Sequence, residues 1–177
     1  MSLRIRKKSA FTLIELTIVV VLFLVLTGVL ARVLLVGLEV WGSENNRANL
    51  RQEANLAMER IVRELSQTTS ITDANEDGIE FVVDLDDNGV NETVTFDVSG
   101  TTLNRTEDAK AVKLAENSQT FALAYYDTTN ALMAVPQDVS NQAKRDNIRL
   151  INIALTMNND SETVALRSSV YTRNQGL

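Results

Sequence analysis

The chain has 177 residues, 45% of them apolar, with 17 Lys and Arg against 23 Asp and Glu, no His and no Cys. That length and apolar content suit one domain with a real core and exclude a disordered or collagen-like chain. Without Cys there is no disulfide framework, thiolate zinc site or Cys nucleophile, and without His no Ser-His-Asp triad or imidazole metal site.

Charge is divided along the chain. Residues 1–10 carry Arg4, Arg6, Lys7 and Lys8 and no acid, whereas residues 11–177 hold 13 bases and 23 acids. An acidic body repels a phosphate backbone, so direct nucleic-acid binding is disfavoured. The basic leader precedes an apolar run from Phe11 to Trp41, with sixteen uncharged residues between Glu15 and Arg32. As a helix, residues 11–31 extend roughly 31 Å, about one hydrocarbon core. Leader charge then places the N-terminus in the cytoplasm and the acidic body outside, with Trp41 as an interfacial anchor. A cleaved secretory signal is the competing reading, but its apolar region is usually only ~7–15 residues long. Glu15 is the informative residue, because a carboxylate at membrane depth costs about 2.5–3.5 kcal/mol and calls for a partner.

Lys7-Lys8-Ser9-Ala10 followed by Phe11-Thr12-Leu13-Ile14-Glu15 resembles the processing site of type IV prepilins and type II secretion pseudopilins. The family usually has Gly where this chain has Ala10. The resemblance implies that a prepilin peptidase cuts between Ala10 and Phe11, after the basic residues Lys7 and Lys8, and that the new Phe11 amine is N-methylated. It also implies assembly with other pilin or pseudopilin subunits through an inner-membrane platform, with Glu15 facing the Phe11 ammonium of a neighbour. Gly28 and Gly37 allow close helix approach.

Residues 42–68 change character. Leu50, Ala54, Ala57, Met58, Ile61 and Leu65 recur at helical spacing, broadened by Val62, while Arg51, Glu53, Glu59, Arg63 and Glu64 form the opposite face. Glu59–Arg63 and Arg60–Glu64 are opposite charges four apart. Pro136 is the only proline, so the helix is expected to run from the span into the domain with at most a bend near Gly42. Ser66–Ser70 marks its exit. The kink proline common in major pilins is missing, as is a terminal disulfide pair.

Beyond residue 70 the period becomes two. Ile79, Phe81, Val83 and Leu85 alternate, Asn88-Gly89 turns the chain, and Val94, Phe96 and Val98 alternate on the return. Ser99-Gly100 turns into a strand at 102–105, and further strands are expected at 120–126, 148–157 and 163–172. Residues 127–147 read as a surface loop. Tyr125 and Tyr126 read as one core and one surface aromatic. Such a meander needs cover on its apolar face, and the 50–65 stripe supplies it.

Nine acids and no base lie between Asp73 and Asp97. Asp84, Asp86, Asn88 and Glu92 alternate oxygen ligands around Gly89 in the manner calcium prefers. Asp73-Ala-Asn-Glu-Asp-Gly78 repeats the theme. The same residues are what turns require on conformational grounds, and both readings stay open. No other cofactor is expected.

The expectation is an α+β, pilin-like fold: leader 1–10, transmembrane and assembly helix 11–41, amphipathic exported helix 42–68, and an antiparallel β-rich domain 69–177. The function it implies is a non-enzymatic minor pilin or pseudopilin of the inner membrane, single-pass with an extracytoplasmic domain, built into or priming a filament. From another class, the alternative is a membrane-anchored extracytoplasmic binding domain that does not polymerise. N-terminal sequencing of the protein from membranes separates the two. Methylated Phe11 is the expected first residue; an intact Met1 marks a simple anchor.

Overall fold

The computed structural model of the protein describes residues 12–159 and 162–172. The chain divides into two compact units, one ending at Glu44 and one beginning at Asn45. Helix α1 (Leu13–Ser66) belongs to both.

In the first unit the helix carries an 18-residue window of mean hydropathy 2.9, long and apolar enough to cross a membrane. Its large side chains are exposed throughout: Phe23 is 65% and Leu35 67% accessible. Trp41, the expected interfacial anchor, is also exposed. The two hydroxyls between Glu15 and Arg32 bond back to the helix, Thr17 Oγ1 to Ile14 O (2.9 Å) and Thr27 Oγ1 to Phe23 O (2.8 Å). Neither needs a partner that lipid cannot supply.

The second unit is the α+β body. Its strands are β1 (Ser70–Ala74), β2 (Gly78–Val83), β3 (Glu92–Ser99), β4 (Thr102–Glu107), β5 (Lys110–Ala115), β6 (Ser118–Tyr126), β7 (Leu150–Asn159) and β8 (Glu162–Tyr171). All pairings are antiparallel, but they make two sheets and not one. β1 to β5 form the first in chain order, and β6, β7 and β8 the second. The split occurs at residues 116–117, where Asn117 takes a left-handed φ of 57°. Ser118 then donates its amide to Thr101 O (2.8 Å) while its strand pairs with β7. The corner turns β6 away from the edge of β5.

The expected alternation holds where strands are half-buried. Ile79, Phe81, Val83, Val94 and Phe96 are all buried, and the Phe81 and Phe96 rings lie 5.7 Å apart. β1 and β5 were not expected. Ser-Ile-Thr-Asp-Ala carries turn residues, and most of β5 is exposed, so pairing with a neighbour makes these strands and local pattern does not. Two turns follow the chemistry of two-residue hairpins. Gly100 has φ 64° between β3 and β4, and Asp108 and Ala109 have φ 45° and 70° between β4 and β5. Asn88-Gly89 instead lies inside a longer connection between β2 and β3, where Asp87 (φ 59°) and Gly89 (φ 81°) take the left-handed conformation.

The stripe Leu50, Ala54, Ala57, Met58, Ile61 and Leu65 is buried and joins strand residues of both sheets in one core. Among the described residues every buried hydrophobic side chain lies between Leu50 and Val170. The second unit therefore contains its own core, which is what independent folding requires. Tyr125 is fully buried, and its hydroxyl donates to Asn75 O (2.8 Å), pinning the β1–β2 turn to the second sheet; Tyr126 is half-buried. Burial pushes the Tyr125 hydroxyl well above its ordinary pKa, with smaller contributions from Asp73 and Asp77.

One part of the helix departs from expectation. Glu64, assigned to the solvent face, is 3% exposed and meets Arg105 of β4, itself 2% exposed. Arg105 Nε lies 2.8 and 3.0 Å from the two Glu64 oxygens. Arg60 Nε donates to Glu64 Oε1 at 2.9 Å, the expected i,i+4 pair, and Arg105 Nη1 donates to Glu107. Burial works against the Arg105 charge, and the bonds to Glu64 and Glu107 outweigh it, so the guanidinium sits above its ordinary pKa. Two positive and two negative groups thus neutralise one another between helix and sheet, although Arg105 Nη2 is buried without a partner.

The 127–147 segment contains a short 3-10 turn, Gln137–Val139, and the one-turn helix α2 (Gln142–Arg145). Asp127 Oδ1 accepts from Thr129 N and Oγ1 and from Ala131 N at 2.7 to 2.9 Å. The Thr129 hydroxyl first, then the Ala131 amide, hold the Asp127 pKa below its usual value. Its contribution to stability is therefore complete above the ordinary aspartate pKa and fades as pH falls through the lowered folded one.

Two measurements on a fragment from Asn45 follow. Glu64→Leu leaves Arg105 buried with only Glu107 as partner and is expected to cost about 3–5 kcal/mol in urea unfolding, whereas Glu64→Leu with Arg105→Leu recovers most of that loss. Asp127→Ala is expected to lower the fragment's stability at neutral pH and to leave it nearly unchanged in acid, so that the acid limb of stability against pH flattens.

Candidate functional site

Two regions carry the residues singled out by the sequence. The first is the start of α1. Lys7, Lys8, Ala10 and Phe11 lie outside the described residues, and Glu15 lies in the first turn of the helix. Its Oε2 accepts the Thr12 amide (3.0 Å) and the Thr12 hydroxyl (3.1 Å), while Thr12 Oγ1 accepts the Glu15 amide (3.3 Å). This reciprocal arrangement is a capping box, with Thr12 as the N-cap and Glu15 three residues on. The sequence analysis did not identify it, although its signal, T-x-x-E before an apolar run, stands at 12–15.

The cap has a geometric consequence. A free glutamate on a helix surface samples several rotamers, but the two Thr12 bonds hold this carboxylate at the helix terminus. It is held where helix N–H groups and the positive end of the macrodipole already favour an anion. Beyond Thr12, the large side chains beside it are apolar and exposed: Leu13 is 81% and Ile14 67% accessible. The site is therefore a single anchored anion at the tip of an uncovered apolar rod.

The second region is the loop between β2 and β3. Asp84 Oδ1 and Oδ2 accept the amides of Asn88 (3.1 Å) and Gly89 (2.9 Å), and Asp86 Oδ1 accepts Asn88 N (3.3 Å). Asp86 Oδ2 accepts Asn88 Nδ2 (2.8 Å), Asn88 Oδ1 accepts Val90 N (2.6 Å), and Glu92 Oε2 accepts Leu85 N (3.0 Å). The structure brings Asp84, Asp86, Asn88 and Glu92 into one loop, where each accepts at least one of the loop's own donors. Among the described residues no group of three or more acidic side chains is arranged to hold a metal ion. These bonds are of the kind a turn makes.

Residues 5–31 match the family model described as the prokaryotic N-terminal methylation motif. No curated protein matches the chain. The match covers Arg6, Lys7 and Lys8 of the leader, the Ala10–Phe11 junction, Glu15 and most of the apolar run, including the residues on which the resemblance rested. The chain therefore carries a prepilin-like signal. Motif and apolar helix together support a membrane-anchored protein, processing by a prepilin peptidase and pilin-like partners in general.

The loop geometry yields a direct test. Asp84→Ala removes the acceptor of two loop amides and is expected to lower the stability of the Asn45 fragment by about 1–2 kcal/mol, read by urea unfolding. Addition of a chelator to the unsubstituted fragment is expected to leave its melting temperature unchanged.

Proposed function

We propose that this chain is a minor pilin or pseudopilin: a structural subunit cut between Ala10 and Phe11, methylated at Phe11 and assembled into, or priming, an inner-membrane filament. The observation that carries the reading is the capped Glu15 at the start of a helix whose apolar residues 13–41 have no covered face. A helix of this composition needs lipid or other helices around it, and a filament core of packed helices supplies the second.

Cleavage gives Phe11 an ammonium group four residues before Glu15. Opposite charges 4 Å apart at an effective dielectric near 20 attract by about 4 kcal/mol. That is close to the ~2.5–3.5 kcal/mol cost of placing the acid at membrane depth. The ion pair thus offsets the cost of Glu15 and leaves little net affinity. Its effect is on register: a helix sliding out of place loses the pair and keeps the penalty. The many apolar contacts along the helix supply adhesion. By this reading the body beyond Asn45 lies outside the cytoplasmic membrane, and the assembly platform and sibling subunits are its partners.

Glu15→Ala is expected to be processed normally, with Phe11 as its first residue, and to fall at least tenfold in sheared filament fractions. Co-assembly at the parental level would remove the proposed role of the acid. Glu15→Gln, which keeps acceptors for the Thr12 cap but no charge, is expected to fail in the same way. Its success would instead assign Glu15 to capping alone.

A further inference from the structure

The exposed apolar surface of α1 is longer than a hydrocarbon core is thick. Residues 13–41 extend roughly 43 Å against about 30 Å of hydrocarbon, and immersing all of them needs a tilt near ~45°, beyond the ~0–40° that such helices adopt. With residues 11–31 in hydrocarbon, Val33, Leu34, Leu35, Val36 and Leu38 lie past it, and each is more than half exposed. Lipid tails do not reach this band, and water is a poor cover for it.

Two charges bracket the band, Arg32 and Glu39. Both are exposed, and among the described residues neither side chain has a hydrogen bond or ion pair. At seven residues apart they project from one side of the helix, within ~20° of each other and about 10.5 Å apart along it. Helices pair charges with themselves at three or four residues, so this spacing suits a pair between two helices instead. Gly28, four residues before Arg32 and on the same side, has nothing within 4 Å of the place a Cβ would take, which lets a second helix approach there.

Leader charge gives every copy the same direction across the membrane, so two copies lie parallel. In register, Arg32 faces Arg32 and Glu39 faces Glu39, and like charges repel. With one copy displaced outward by about seven residues, its Arg32 comes level with Glu39 of the other. The proposed Phe11–Glu15 contact requires a displacement in the same direction, by about four residues. The difference is about 4.5 Å of helix, which a long arginine stem absorbs. Base precedes acid in both pairs, so one stagger serves both; the reverse order of Arg32 and Glu39 would have set them against each other.

We infer that Arg32 of one copy pairs with Glu39 of a second, parallel copy displaced by about four to seven residues, and that the two helices cover each other's apolar band beyond the hydrocarbon. This rests on the filament reading above and adds a second register contact, roughly 31 Å along the helix from the first. The contact is heterologous. Each added copy presents a fresh Arg32 and a fresh Glu39, so the arrangement repeats and does not close as a two-fold dimer. The apolar side chains supply adhesion, and the charges choose the stagger.

The absence of native cysteine allows a clean test. Val29 and Val36 are exposed and lie three residues before Arg32 and Glu39 on the same side, so they report the contact without removing either charge. Full-length chains carrying Val29→Cys or Val36→Cys, differently tagged, are co-expressed and oxidised in membranes, where a disulfide forms only if Cα atoms come within about 7 Å. The expected result is a mixed dimer at least about fivefold stronger than either like-with-like dimer. Arg32→Glu in the Val29→Cys chain should lower it by about fivefold or more, and Glu39→Arg in the Val36→Cys chain should then restore it. Dominant like-with-like dimers, indifference to the reversal, loss without rescue, no cross-link, or a cross-link only to a protein of another size each overturn the proposal. The same samples are sequenced from the N-terminus. Processed Phe11 without the mixed dimer sinks this contact alone, whereas an intact Met1 sinks the filament reading beneath it.

Discussion

The body of this protein is organised around a buried ion pair between Glu64 of the helix and Arg105 of the sheet. Both side chains are almost wholly removed from water, so each charge depends on the other's position. Arg60 and Glu107 extend the pair to four groups of zero net charge. Such clusters add little to stability compared with an apolar replacement, but they are intolerant of displacement. A rotation or one-residue slip of the helix would strand a charge in the core, which the apolar stripe alone would not forbid. Leu50 to Leu65 supply the adhesion; the ion pair selects one arrangement.

The proposed function gives the start of the helix the same division of labour. Apolar area along residues 13–41 is large and indifferent to register, since leucine packs against leucine at many offsets. The Thr12–Glu15 box puts one anion at a fixed position in that uniform surface. An isolated charge in an apolar setting is costly unless matched, and in the assembly proposed above the match is available in only one alignment. On that proposal a single polar interaction of modest net energy sets the geometry there, as the Glu64–Arg105 pair does in the body.

How legible these features were differs by element. The strands around Ile79, Phe81, Val94 and Phe96 could be read because one face of each is buried and the alternation records it. β1 and β5 could not, because edge strands owe their conformation to the neighbour's hydrogen bonds and β5 buries almost nothing of its own. Glu64 was misplaced because helical periodicity sorts residues into faces by polarity, and a buried acid looks like a surface one until its partner is known. That partner, Arg105, is 41 residues away. The capping box at Thr12 and Glu15 was legible in the sequence, because its T-x-x-E spacing involves only residues 12–15.

By itself the sequence determined the local physics: an apolar helix behind a basic leader, an amphipathic continuation, alternating strands, and turn residues at the hairpins. These follow from interactions within a few residues of one another, and they suffice to place the prepilin-like signal. Only the tertiary structure decided that the strands divide into two sheets at Asn117, that Glu64 is interior, and that Asp84, Asp86 and Glu92 accept amides of their own loop. Each of these depends on pairing between distant segments, where loop-closure entropy and burial compete on a scale that no short window of residues contains.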